Sequence, residues 1–116
     1  MTTSKQQVGN LGEDVAVDYL LAQGYRIITT NWRCKWGEID IIAHDGQELV
    51  FIEVKTRRDA DSNPFENITP AKMQKVIRTA YAYADSQQIE AWRIDAIAVI
   101  LGKSPHIEHI QNAFTD

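Results

Sequence analysis

Gly37-Glu38-Ile39-Asp40-Ile41-Ile42-Ala43-His44-Asp45-Gly46-Gln47-Glu48-Leu49-Val50-Phe51-Ile52-Glu53-Val54-Lys55 is the stretch whose reading decides the fold. From Glu38 to Ala43 it alternates, with Ile39, Ile41 and Ala43 on one face and Glu38, Asp40 and Ile42 on the other, the period of a β-strand. Asp45-Gly46 reads as a two-residue hairpin turn, and Val50, Phe51, Ile52 and Val54 then fence in Glu53 and Lys55 on a second strand. A type I′ turn predicts His44 opposite Gln47, Glu38 opposite Glu53 and Asp40 opposite Phe51. Glu38, Asp40, Phe51, Glu53 and Lys55 would then share one face. Asp40 and Glu53 become diagonal neighbours, roughly 7–8 Å apart at the backbone.

Ionised side chains inside an apolar run are costly unless paired or coordinated. A plain cross-strand ion ladder through Lys55 is one solution. The like charges of Glu38, Asp40 and Glu53 favour another, because acids set side by side destabilise a sheet unless something positive joins them. Carboxylate oxygens beside a lysine suit a hard cation, Mg²⁺ or Mn²⁺, in a site that handles phosphate.

Working outward, residues 5–23 predict an amphipathic helix with Val8, Leu11, Val15, Tyr19 and Leu20 on its apolar stripe and Gly24 as its stop. Tyr25 to Thr30 is a strand rich in β-branched residues. Arg57 to Ile68 reads as an exposed loop carrying Asp59, Asp61, Ser62, Asn63 and Pro64, placed to act as a flap over the site or as an ordinary connection. Thr69-Pro70 starts a second helix, running to about Gln87, with Met73, Val76, Ile77, Ala80 and Tyr81 or Ala84 toward the core. Lys72, Lys75 and Arg78 follow along one side of it, as a solvated face or as contacts to phosphates.

Arg93 to Leu101 alternates again, and Asp95 reads either as an acid supporting the site from behind or, the favoured reading, as a structural partner for an arginine. His106 and His109 cannot project to one face of one strand, so no transition-metal site is expected there. The order helix, three strands, helix, two strands predicts an α/β protein with a central mixed five-stranded sheet flanked by helices, one domain over residues 1–116.

No apolar run approaches the roughly 20 residues of a membrane span, and the polar start is not a signal peptide. A single cysteine, Cys34, excludes an internal disulfide and a multi-cysteine zinc site. A cytoplasmic protein without a membrane partner fits these features. The net charge is −4, yet its distribution is uneven. From Arg26 through Arg78 there are nine Lys/Arg against eight Asp/Glu, and outside that stretch three against eight. A cation bound among Glu38, Asp40 and Glu53 would turn the local field basic, and local charge governs affinity for a phosphate backbone.

Asn31-Trp32-Arg33, Gly37-Glu38-Ile39-Asp40-Ile41-Ile42-Ala43 and Phe51-Ile52-Glu53-Val54-Lys55-Thr56-Arg57 together resemble the motifs of the YraN-type bacterial family. That family is similar to archaeal Holliday-junction resolvases and to restriction-endonuclease-like nucleases. The likeness runs from Gly12-Glu13 to Arg93-Ile94-Asp95, with Ile39 where the wider superfamily often has proline. The resemblance implies a restriction-endonuclease-like fold and a metal-dependent endonuclease acting on DNA, including branched or junction forms. It implies that Asp40 and Glu53 bind the metal, that Glu13 completes the site, and that Lys55 assists the attacking water or the transition state. Arg57, Lys72 and Lys75 are the expected nucleic-acid contacts. Junction resolvases act as dimers, so a homodimer is expected as far as that analogy holds. The alternative is a non-catalytic nucleic-acid-binding or adaptor protein that retains the nuclease fold.

Overall fold

The computed structural model describes residues 4–59, 63, 65 and 68–114. Its elements are α1 (Ser4–Ala22), β1 (Arg26–Cys34), β2 (Gly37–Asp45), β3 (Glu48–Arg57), α2 (Pro70–Ser86), β4 (Trp92–Ile100) and β5 (His106–Ile110). The strands form one mixed sheet in the order β1-β2-β3-β4-β5. Only β3 and β4 run parallel, joined through α2; the other neighbours are antiparallel. This is the expected five-stranded α/β arrangement, and it is consistent with a restriction-endonuclease-like fold. Of the expected loop after Arg57, Asp61, Ser62 and Pro64 lie outside the described residues.

One helix covers each face of the sheet. Ile42, Leu49, Phe51, Ile94 and Ala96 pack with Ile77, Ala80 and Ala84 of α2. On the other face Ile41, Ala43, Val50, Ile52, Ile97 and Val99 pack with Ala16 and Leu20 of α1. A parallel pair needs cover on both sides, which explains why β3 and β4 are apolar on both faces at their centres. Thr69 caps α2, its hydroxyl accepting from the Lys72 N–H at 3.2 Å, and Pro70 takes the first helical position.

The buried stripe of α1 differs from the expected one. Gly12, Ala16 and Leu20, four residues apart, face the sheet, while Leu11 is 55% exposed. Periodicity read from large side chains overlooks small ones, and small ones let this helix approach closely. A Cβ built on Gly12 would lie 1.9 Å from Thr56 Oγ1, so only glycine fits against β3 there. In α2 it is Ala84 that is buried, whereas Tyr81 is 55% exposed.

The hairpin register also shifts. Asp45 pairs with Glu48, so the two turn residues are Gly46 and Gln47, not Asp45 and Gly46. Gly46 alone of the two has positive φ (62°), the pattern of a turn with glycine at its first central position. Ile42 therefore faces Phe51, and the expected pairs Glu38–Glu53 and Asp40–Phe51 do not form.

Candidate functional site

The β2–β3 ladder closes at Ile41–Ile52, while β2 stays paired with β1 through Trp32–Ile39 and Arg33–Glu38. Asp40 sits where the strands part. Its carboxylate replaces a backbone acceptor, taking the Val54 N–H at 2.8 Å. The alternation of β2 breaks at this point. Ile39 joins the α2-side core together with Ile42, whereas Ile41 lies in the α1-side core. Strict alternation would have put Ile39 with Ile41 and Asp40 on a sheet face with Glu38. The break falls at Asp40, whose side chain, not its backbone, takes the Val54 N–H.

Through this gap Asp40 meets Glu53. The two carboxyls are near enough for each to act on the other, and each residue is half-buried. Burial pushes the Glu53 carboxyl up to about 8, aided by the negative charge of Asp40 and opposed by Lys55. Asp40 is also raised by burial, with the Val54 N–H pulling the other way. The two acids act on each other as a pair, and burial together with their like charges favours a protonated carboxyl at the site.

Two clefts open at this end of the sheet, and Arg33, Glu38 and Lys55 line both. The α1-side cleft, about 800 Å³, takes in Glu13, Asn31, Asp40 and Arg57. The α2-side cleft, about 530 Å³, takes in Glu53, Lys72 and Lys75. The structure thus brings Asp40, Glu53 and Lys55 together and puts the expected nucleic-acid contacts in two adjoining clefts, Arg57 on one side and Lys72 and Lys75 on the other. In the α2-side cleft four basic residues (Arg33, Lys55, Lys72, Lys75) face two acids (Glu38, Glu53). A third cleft, about 580 Å³ and bordered by Tyr81, Trp92 and Phe114, has Asp85 and Glu90 in its wall but no basic residue.

Glu13 stands in the α1-side cleft. Burial raises its carboxyl, the Asp40 charge adds to that, and a hydrogen bond from Asn31 opposes it. Asn31 has a positive φ of 54° within β1 and joins the site beyond the residues that the sequence picks out. An asparagine amid β-branched Thr29 and Thr30 is the available signal, since asparagine tolerates this conformation better than most residues. Among the described residues no three His, Cys, Asp or Glu side chains converge into a metal cage. Two carboxylates do meet here, and that donor set suits Mg²⁺, which is held by one or two carboxylates and keeps several waters. The fit requires a carboxyl proton here to leave when a cation enters.

A family model described as "Uncharacterised protein family UPF0102" matches residues 12–99. Among similar proteins, a UPF0102 protein of Chloroflexus aurantiacus is 45% identical over 102 residues, covering 85% of this chain and 83% of the relative. One from Renibacterium salmoninarum is 43% identical over 113 residues, covering 93% and 96%. Another, from Trichlorobacter lovleyi, is 45% identical over 115 residues, covering 94% and 91%. These names carry no activity. Among the described residues no helix is long and apolar enough to cross a membrane.

Proposed function

The chain belongs to the UPF0102 family, and from its own geometry we propose that it is a divalent-metal-dependent endonuclease that hydrolyses phosphodiester bonds in DNA. The observation that carries this reading is the acidic pair Asp40 and Glu53, with Asp40 held by the Val54 N–H where the strands part, beside Lys55 and between two clefts that carry basic residues. Strand packing alone calls for no such group. The resemblance of the motifs to the YraN-type family, itself similar to Holliday-junction resolvases, supports branched DNA as a substrate and, as far as that analogy holds, a dimer as the working form.

In this reading Asp40 and Glu53 hold Mg²⁺ or Mn²⁺, with Glu13 adding negative charge from α1. The bound cation supplies charge neutralisation on the scissile phosphate and makes water a better nucleophile. Val54 fixes Asp40 by its N–H, so one carboxylate oxygen is oriented before any ligand arrives. Lys55 lies at the rim shared by both clefts, where its ammonium group orients the attacking water or offsets charge developing on the phosphate. Arg57 on one side and Lys72 with Lys75 on the other hold the flanking phosphates. A non-catalytic DNA-binding protein would keep those basic walls but would have no use for an acidic pair at their junction.

The test is cleavage by purified protein of labelled linear, single-stranded, flap and four-way DNAs with Mg²⁺ or Mn²⁺. The expected result is metal-dependent cutting of at least one form, abolished by Asp40→Asn. A native protein that binds these DNAs and cuts none under any of these conditions favours the non-catalytic reading.

A further inference from the structure

The turn between β1 and β2 consists of Lys35 and Trp36, and Trp36 is 40% exposed. Trp32 and Trp92 both pack against the α2-side core, whereas Trp36 belongs to neither core cluster. A two-residue turn needs small or polar residues and gains nothing from an indole. The backbone of the turn is nevertheless held. The Trp36 N–H lies 3.4 Å from Cys34 Sγ, and the next residue, Gly37, sits so close to α2 that a Cβ there would be 2.9 Å from Thr79 Oγ1. Two cations flank the indole, with Lys35 Nζ 5.0 Å and Arg78 Cζ 5.1 Å from the ring centre.

Trp36 does not itself line the α2-side cleft, but its neighbours do. Cys34 and Gly37, the residues leading into and out of its turn, both line that cleft, as do Lys75 and Thr79 on either side of Arg78 along α2. A partly exposed indole that carries two cations over its ring, next to residues of a basic cleft, matches the chemistry of an unpaired nucleotide, provided a cation swings off the ring. A base that stacks on the indole takes the place of one of these cations, and the displaced Lys35 or Arg78 is then free to meet the phosphate. Bases inside an intact duplex are stacked on one another and cannot offer a face to a side chain from outside.

We propose that Trp36, with Lys35 and Arg78, is a stacking platform for an unpaired nucleobase beside the cleft, so that the protein selects DNA with a single-stranded nucleotide at a flap, gap or branch over fully paired duplex. The inference rests on the reading of the cleft as a DNA site and adds which DNA it takes. It does not depend on whether the DNA is cut.

The experiment is a fluorescence-anisotropy titration in EDTA of a labelled blunt duplex and of the same duplex carrying a single-stranded flap. The native protein is expected to bind the flap form more tightly. Trp36→Ala should reduce the flap-to-blunt affinity ratio by about tenfold, as base stacking typically contributes, and Trp36→Phe should keep most of it. Lys72→Ala with Lys75→Ala should weaken both DNAs together and leave the ratio in place. Because Trp36 lies outside both cores, the variants are expected to fold, and circular dichroism on the same samples checks this. A folded Trp36→Ala protein with the native ratio would overturn the platform while leaving the DNA cleft standing. A native protein that binds neither DNA would overturn both.

Discussion

Lys55→Ala is expected to slow single-turnover cleavage by about 10²–10³-fold, the usual effect of removing a charge-stabilising donor from a reacting centre. The reason lies in its position. Lys55 is half-buried on β3 and lines both clefts, and its positive charge opposes the upward pressure on the Asp40 and Glu53 carboxyls. It is close enough to act on a phosphate there without being a metal ligand. Removing it should therefore leave Mn²⁺ bound, whereas Asp40→Asn should lose metal and cutting together. If Lys55 were only a charge partner within the sheet, its loss would lower the melting temperature and reduce cutting only through unfolding. Melting curves and single-turnover rates on the same samples separate these cases. A stable Lys55→Ala protein cutting at the native rate would remove Lys55 from the mechanism.

Arg93→Ala is expected to destabilise the fold by about 3–5 kcal/mol, the cost typical of breaking a buried ion pair by removing one partner. The Arg93 guanidinium donates to Asp95 Oδ1 at 3.0 Å, to Glu48 at 2.6 Å, to Asp45 at 3.1 Å and to the Tyr25 hydroxyl at 2.9 Å. Asp95 is fully buried. Burial alone would raise its carboxyl, but hydrogen bonds with His109 and Arg93 and from the Asn112 N–H hold it below the ordinary range. Without Arg93 that charge keeps His109 and Asn112 and loses its nearest permanent cation. The clamp ties the β2–β3 turn to β4, at the end of β3 remote from Lys55. Urea denaturation gives the comparison, and a loss below about 1 kcal/mol, the level of an exposed pair, would mean the network is not a clamp.

The expectation that Asp95 partners an arginine follows from a lone acid inside an apolar strand, and Arg93, two residues away, meets it. His106 and His109 do lie on one strand, β5, and His109 bridges Tyr19 and Asp95 at 2.9 and 2.8 Å. Nothing local in the sequence brings a residue of α1 to one of β5.

The hairpin shows where a sequence pattern stops being informative. Period two fixes which residues share a face, and a register error of two residues leaves that unchanged. Placing the turn at Asp45-Gly46 therefore misassigned the partners of Asp40 and Glu53 while keeping Glu53 and Lys55 together. The parting of β2 from β3 was not legible, because there the Val54 N–H goes to the Asp40 side chain and not to its backbone. The alternation the reading assumed breaks at that residue, and Asp40 and Glu53 come near enough to act on each other. Gly12 was legible only as a helix position, since its value lies in Thr56, forty-four residues on, which leaves no room for a side chain.

The most direct test of the acidic pair as a metal site is a calorimetric Mn²⁺ titration at pH 7 in two buffers of different ionisation enthalpy. With Glu53 pushed up to about 8, the pair carries a proton that the cation must displace. The native protein should bind Mn²⁺ and release close to one proton per ion, with affinity rising as pH increases through that value. Asp40→Ala with Glu53→Ala should abolish the binding heat. Equal heats for the native protein and the double variant would contradict the account.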